Sequence, residues 1–193
     1  MSPLVAIYLL WFVWVVTWIA ASLWANPTIK RAGLGRKILY RVAVLAGYVF
    51  LFGFDSNGYD MRHRFWDVPK NTFGWAMVAA VAIGFAFCWW ARLHIGKLWS
   101  SSVTRKSSHR VIDTGPYALV RHPIYTGITL AALATAAVHG TPGSFFGAAL
   151  MMGGWYVKAR LEERFLREEL GPEAYDSYAR RVPMLVPFLH WRS

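Results

Sequence analysis

Residues 4–23 read LVAIYLLWFVWVVTWIAASL and contain no charged side chain. A helix needs roughly 20 apolar residues to cross a hydrocarbon core of about 30 Å, and this run supplies that length. A second uncharged run covers residues 73–91. The rest of the composition agrees with these two stretches. The chain has 193 residues, of which 56% are hydrophobic and only 16% charged, with 11 Trp among them. A soluble domain of this size rarely carries so little charge and so much aromatic surface. The sequence therefore predicts an all-α integral membrane protein. The first run reads as a membrane anchor and not as a cleaved signal, because no basic n-region precedes it and no A-x-A site follows it before Lys30.

Five apolar segments are expected: 4–23, a shorter one at 42–54 extendable back through Ile38, then 73–91, 124–138 and 143–157. The last two are short for full spans and read as a helical hairpin over 124–157, with the turn at His139-Gly140-Thr141-Pro142-Gly143; a re-entrant pair is the alternative. Lys30, Arg31, Arg36, Lys37 and Arg41 make the first loop basic, and Lys97, Arg105, Lys106, Arg110 and Arg121 do the same between the third and fourth segments. In the second loop Arg62, Arg64 and Lys70 are balanced by Asp55, Asp60 and Asp67. The positive-inside rule then predicts five spans with the N-terminus outside and the C-terminus cytoplasmic; a prokaryotic inner membrane is the expected location. The expected organisation is one domain, 1–193, with three N-terminal spans in 1–92 and a functional core in 93–193.

The net charge of +11 sits in blocks beside spans, which favours anionic headgroups over nucleic acid as the partner. The single cysteine, Cys88, lies inside an apolar run and reads as a packing residue. The small residues Gly143, Gly147, Ala149, Gly153 and Gly154 suit close helix packing, with room for a ligand at Gly153-Gly154 as the sharper reading. Beyond Val157 the helix turns polar, and Gly171-Pro172 marks a stop and a restart. Tyr175 and Tyr178 share one face of the helix that follows, and Trp191 would mark an interface.

Chemistry is expected where polar residues gather at span ends. Residues 115–127, GPYALVRHPIYTG, set an Arg-His pair in front of Pro123, a first-turn proline. The first-turn N–H groups, with Arg121 and His122, would favour an anionic group such as a carboxylate. Glu162 or Glu163 would supply the opposite charge, so a ligand bearing both ammonium and carboxylate matches. The bland alternative makes Glu162-Glu163 a solvated face paired to Arg160, Arg164 and Arg167 at helical spacing. No metal-ligand cluster is readable.

Three blocks carry a family resemblance: WSSSV at 99–103, HRVIDTGPYALVRHPIYTG at 109–127, and EERFLREELGPEAYDSYARRVPMLVP at 162–187. In that order they resemble the isoprenylcysteine carboxyl methyltransferase family and the related phospholipid methyltransferases. The resemblance implies a five-helix membrane fold that binds S-adenosylmethionine on the cytoplasmic side and leaves S-adenosylhomocysteine as product. By motif, His109 and Val111 would lie beside the adenine, and Gly115 and Tyr117 would wall the pocket. Arg121, His122, Tyr125 and Glu162 would hold the cofactor, Trp99 and Ser100 would line the approach from lipid, and Glu163 would act electrostatically or as a base. Family members usually carry an Arg four positions before the Glu-Glu pair, where it grips the substrate carboxylate. This chain has Lys158 there, a point charge without the bidentate fork. A lipophilic carboxylate, thiol or amine therefore stays open as the acceptor. An NADPH-dependent membrane reductase of sterol-reductase type and a non-enzymatic membrane scaffold are the alternatives.

Overall fold

The computed structural model describes residues 1–23, 30–31, 34–53, 64–68, 71–96, 99, 104–105 and 112–189. Among these residues seven helices follow in order: α1 (Pro3–Ser22), α2 (Leu34–Phe52), α3 (Thr72–Ile95), α4 (Pro116–Leu119), α5 (Pro123–His139), α6 (Pro142–Leu170) and α7 (Pro172–Arg181). The architecture is helical, as expected, with one small addition that the sequence did not announce. Lys30–Arg31 (β1) and Thr104–Arg105 (β2) form a short antiparallel ladder, with Lys30 opposite Arg105. Of the expected positions, Ser100, His109, Val111 and Trp191 lie outside the described residues.

The helix limits follow local chemistry. Ser2 caps α1 by accepting from the Val5 N–H at 3.3 Å, and Pro3 takes the first-turn position where no N–H is needed. Asn71 caps α3 through the Phe73 N–H. The α5–α6 hairpin turns in two residues: Gly140 adopts the left-handed region at φ 67°, and Thr141 and Ser144 form a reciprocal capping box that opens α6. His139, expected in the turn, is instead the buried last residue of α5.

α1 and α3 are the two described helices long and apolar enough to cross a membrane; Ile38–Phe52 and Pro123–His139 are shorter apolar helices. On α1, Ile7, Trp11 and Trp14 face the core, while Leu9, Phe12, Val13, Val16 and Ile19 are exposed. A helix whose outer face is also apolar is matched to lipid.

Close glycine contacts set the helix pairs. Gly84 of α3 and Gly127 of α5 meet backbone to backbone: a Cβ on Gly84 would come 2.5 Å from the Gly127 carbonyl oxygen. Gly47 of α2 and Gly147 of α6 do the same, a Cβ on Gly147 falling 2.5 Å from the Leu51 nitrogen. Such small-residue seams let backbones approach where lipid provides no hydrophobic drive between helices. Polar pins add to them. Trp11 Nε1 donates to Thr135 Oγ1 at 2.9 Å, and Thr135 donates on to the Ala131 carbonyl at 2.7 Å.

The connections sort to two ends of the bundle. The β1–β2 ladder ties the α1–α2 link to the segment after α3. At the other end, the Phe65 N–H donates to the Gly140 carbonyl at 2.7 Å and Trp66 Nε1 to the Ala137 carbonyl at 2.9 Å. Phe65 and Trp66, between α2 and α3, thus sit on the α5–α6 turn.

Candidate functional site

The α2–α6 seam determines what stands at the polar end of α6. Gly154 packs against α2 so closely that a Cβ would lie 2.7 Å from Val44 Cγ2 and 3.1 Å from the Tyr40 carbonyl oxygen. One turn further along each helix, Lys158 comes beside Tyr40, its Nζ 5.8 Å from the Tyr40 ring centroid. The helix-packing reading of these small residues therefore holds at Gly154, and the alternative of room for a ligand fails there. Gly154 is consumed by helix packing, and Gly153 faces outward, where an added Cβ would have no neighbour within 4 Å.

Lys158 is 6% exposed although charged. Three aromatic rings surround it: Tyr40, Tyr125 at 5.2 Å and Trp155 at 5.4 Å. Rings at this range favour an ammonium held away from water. Its carboxylate neighbour is Glu162, 3.8 Å away and one turn on. Tyr125 lies between His122 and Trp155, stacked on both at 5.4 and 5.1 Å, and its hydroxyl lies 2.8 Å from each Glu162 oxygen.

From Glu162 the ionic chain continues through His122, whose Nδ1 is 3.6 Å from Glu162 and whose Nε2 is 3.2 Å from Glu163. Glu163, 8% exposed, also pairs with Arg121 Nη1 at 3.2 Å. The sequence is Lys158, Glu162, His122, Glu163, Arg121, cations at both ends and carboxylates within. Burial pushes the Glu163 carboxyl up, but the His122 hydrogen bond and the charges of His122, Arg121 and Arg160 outweigh it and hold it below the usual range. The solvated-face reading of Glu162-Glu163 is thereby corrected. Apart from Lys158 on the same helix, their partners come from the entrance to α5, while Arg167 pairs with Asp176 of α7 at 2.7 Å.

The C-terminal segment closes one side. Arg121 and His122 donate their backbone N–H groups to the Pro183 and Met184 carbonyls at 2.8 and 3.1 Å, and Thr126 Oγ1 donates to the Leu185 carbonyl at 2.6 Å. These two N–H groups are thus committed to the protein, and the side chains are what remain to meet a ligand. Tyr178 donates to the Tyr117 carbonyl at 2.8 Å, locking α7 onto α4. Tyr175 and Tyr178 are both buried on the shared face, and burial followed by the Glu163 charge raises the Tyr175 phenol.

Of the expected site residues, Arg121, His122, Tyr125, Lys158, Glu162 and Glu163 converge. Tyr117 stands one layer back, under Tyr178 and stacked on His94 at 6.3 Å. Gly115, at φ 59°, turns the chain into α4 where a Cβ would meet the His94 ring at 2.7 Å. Trp99 has its ring contacts with other residues. It packs edge-on to Trp18 at 5.7 Å, with the Arg92 guanidinium 4.7 Å above it. Arg92 is fully buried and donates to the Ala21 and Gly96 carbonyls at 2.8 and 2.6 Å, serving the C-terminal ends of α1 and α3. Sequence reasoning missed Tyr40, Trp155 and Arg92. Trp155 was signalled only by its place three residues before Lys158 on the same helix and Arg92 by its charge at the end of an apolar run, while nothing in the sequence linked Tyr40 of α2 to Lys158.

The family model described as the isoprenylcysteine carboxyl methyltransferase (ICMT) family matches residues 76–168. Protein-S-isoprenylcysteine O-methyltransferase B of Arabidopsis thaliana is 29% identical over 89 residues, covering 46% of this chain and 45% of that protein. A probable protein-S-isoprenylcysteine O-methyltransferase of Oryza sativa subsp. indica is 31% identical over 113 residues, 58% of this chain and 53% of the relative. Methanethiol S-methyltransferase of a Pseudomonas species is 44% identical over 71 residues, 37% of this chain and 26% of the relative. The chain spans about half the length of the isoprenylcysteine methyltransferases it matches.

Proposed function

We propose that this chain, whose residues 76–168 match the isoprenylcysteine carboxyl methyltransferase family model, is a membrane methyltransferase using S-adenosylmethionine. Its acceptor is lipophilic and reaches the site from the bilayer. The observation that carries this reading is the buried chain of alternating charge from Arg121 to Lys158 at one end of an apolar helix bundle. Ionisable groups are costly beside lipid and mark function when they converge.

The residues present fit the cofactor. Its amino-acid end needs a cation and a carboxylate a few ångströms apart, and Arg121 and Glu163 offer both. Arg121 Nε is buried without a hydrogen-bond partner among the described residues, a donor that a ligand carboxylate would satisfy. When bound, the cofactor supplies an electrophilic methyl group on a sulfonium.

The protein's own part is positioning. Arg121 receives the carboxylate, Glu162 or Glu163 receives the ammonium, and His122 bridges the two carboxylates so that neither swings away. Tyr125 braces Glu162, and the stacked rings of Tyr125 and Trp155 exclude water from the side facing Lys158. Lys158 meets the acceptor end of the site. Holding two reactants in line in a dry pocket is what such a reaction needs most.

Calorimetry on the detergent-purified protein tests this reading. S-Adenosylhomocysteine should bind with micromolar affinity or better, and Arg121→Ala should weaken it at least tenfold. Binding of NADPH with none of the adenosyl compound would overturn the reading in favour of a reductase.

A further inference from the structure

Tyr40 is a buried phenol, 3% exposed, whose hydroxyl has no hydrogen-bond partner among the described residues. Trp155 Nε1 is in the same state. Both rings face the Lys158 ammonium, at 5.8 and 5.4 Å. One buried donor without a partner is already uncommon, because desolvation is not repaid. Two that border the same buried cation form a polar lining with nothing among the described residues to satisfy it. Helix packing explains why the rings are close but not why the Tyr40 ring ends in an O–H, since phenylalanine would fill nearly the same space.

We propose that Tyr40, brought in by α2, together with Trp155 binds the reacting head of the methyl acceptor beside Lys158, and that Tyr40 determines which acceptors are accepted. This rests on the methyltransferase reading above. Tyr40 lies outside residues 76–168, so this part of the site belongs to the chain's own N-terminal half. The lining consists of two hydrogen-bond donors and an ammonium, with the Arg41 charge also acting on Lys158. It complements a head that accepts hydrogen bonds and carries negative charge. An ammonium would meet like charge there. The shared chemistry is an acidic head on an apolar tail, either a thiolate or a carboxylate.

The test measures labelled-methyl transfer to decanethiol, decanoic acid and decylamine, with S-adenosylhomocysteine affinity measured in parallel, for the wild type, Tyr40→Phe and Trp155→Phe. Wild type should use the thiol or the acid and not the amine, and which of the two it uses identifies the source of the anion. Tyr40→Phe should raise KM for that acceptor at least fivefold, change kcat less, and leave S-adenosylhomocysteine affinity within twofold. Its Tm should be unchanged or higher, since the removed hydroxyl is idle in the fold; Trp155→Phe should shift KM in the same direction. Unchanged KM in both variants, or decylamine as the best acceptor, overturns the inference while wild-type binding of the adenosyl compound keeps the methyltransferase reading. Absence of that binding in the wild type removes both.

Discussion

Glu163 concentrates the site in one residue. It is buried, yet it stays charged because His122 and Arg121 each lie 3.2 Å away. Replacing it with glutamine keeps the shape and deletes the charge, leaving two cationic or hydrogen-bonding partners uncompensated. Glu163→Gln should lower stability by about 3 kcal/mol and methyl transfer by roughly two orders of magnitude, measured by unfolding in detergent and by labelled-methyl assay. The pH dependence has a definite sign. The folded-state value lies below the ordinary 4.5, so the carboxylate's contribution is complete above that pH and is lost as pH falls through the lower, folded value. The wild-type Tm should therefore drop in that acidic window, and the glutamine variant should show a shallower drop. Glu162, Glu163 and the Arg121-His122 pair were legible as candidates because charge is scarce in this chain. Their direct pairing was not, since helical spacing offers Arg160, Arg164 and Arg167 on the same helix, and only the fold brings α5's entrance alongside.

Among the helices, the glycines separate structural from idle positions. Gly147 and Gly153 both read as small packing residues, but their surroundings differ. A methyl at 147 would press on the α2 backbone at Leu51, whereas one at 153 meets nothing within 4 Å. Gly147→Ala should destabilise by about 1–3 kcal/mol and, by pushing α2 away, separate Tyr40 from Lys158 and reduce turnover. Gly153→Ala should gain up to about 1 kcal/mol, because alanine is the better helix former. Thermal unfolding of the two variants side by side checks the contrast; equal effects would mean that α2 and α6 do not meet as described. The helices themselves were readable from apolar run length, and the α5–α6 turn from Gly140 to Pro142. Which glycine faced a neighbour depends on helix rotation, and α6 is apolar on several sides there, so periodicity does not choose.

For the molecule as a whole, the connections carry the argument about the membrane. β1 and β2 join two links at one end, and Phe65 and Trp66 join a third to the hairpin turn at the other. Five crossings with the charge-balanced link opposite the basic ones is the arrangement that we propose from the charge pattern. A reporter fused after Ser193 should be active in the cytoplasm and one inserted near Asn57 outside it; the reverse pattern would refute the charge argument. α6 has 29 residues, roughly 44 Å at 1.5 Å per residue, so it can leave the apolar layer and still present Lys158, Glu162 and Glu163 to α5. Composition and run length by themselves determined that this is an apolar helical protein, and the ordered motifs pointed to the family whose model matches residues 76–168, because the lack of charge over twenty residues and a string of spaced polar residues are properties of one dimension. Only the tertiary structure decided that Tyr40 and Trp155 enclose Lys158 and that the carboxylates pair across helices. Those contacts depend on how far two backbones approach and how each helix is rotated, and glycine contacts along the α2–α6 seam set both.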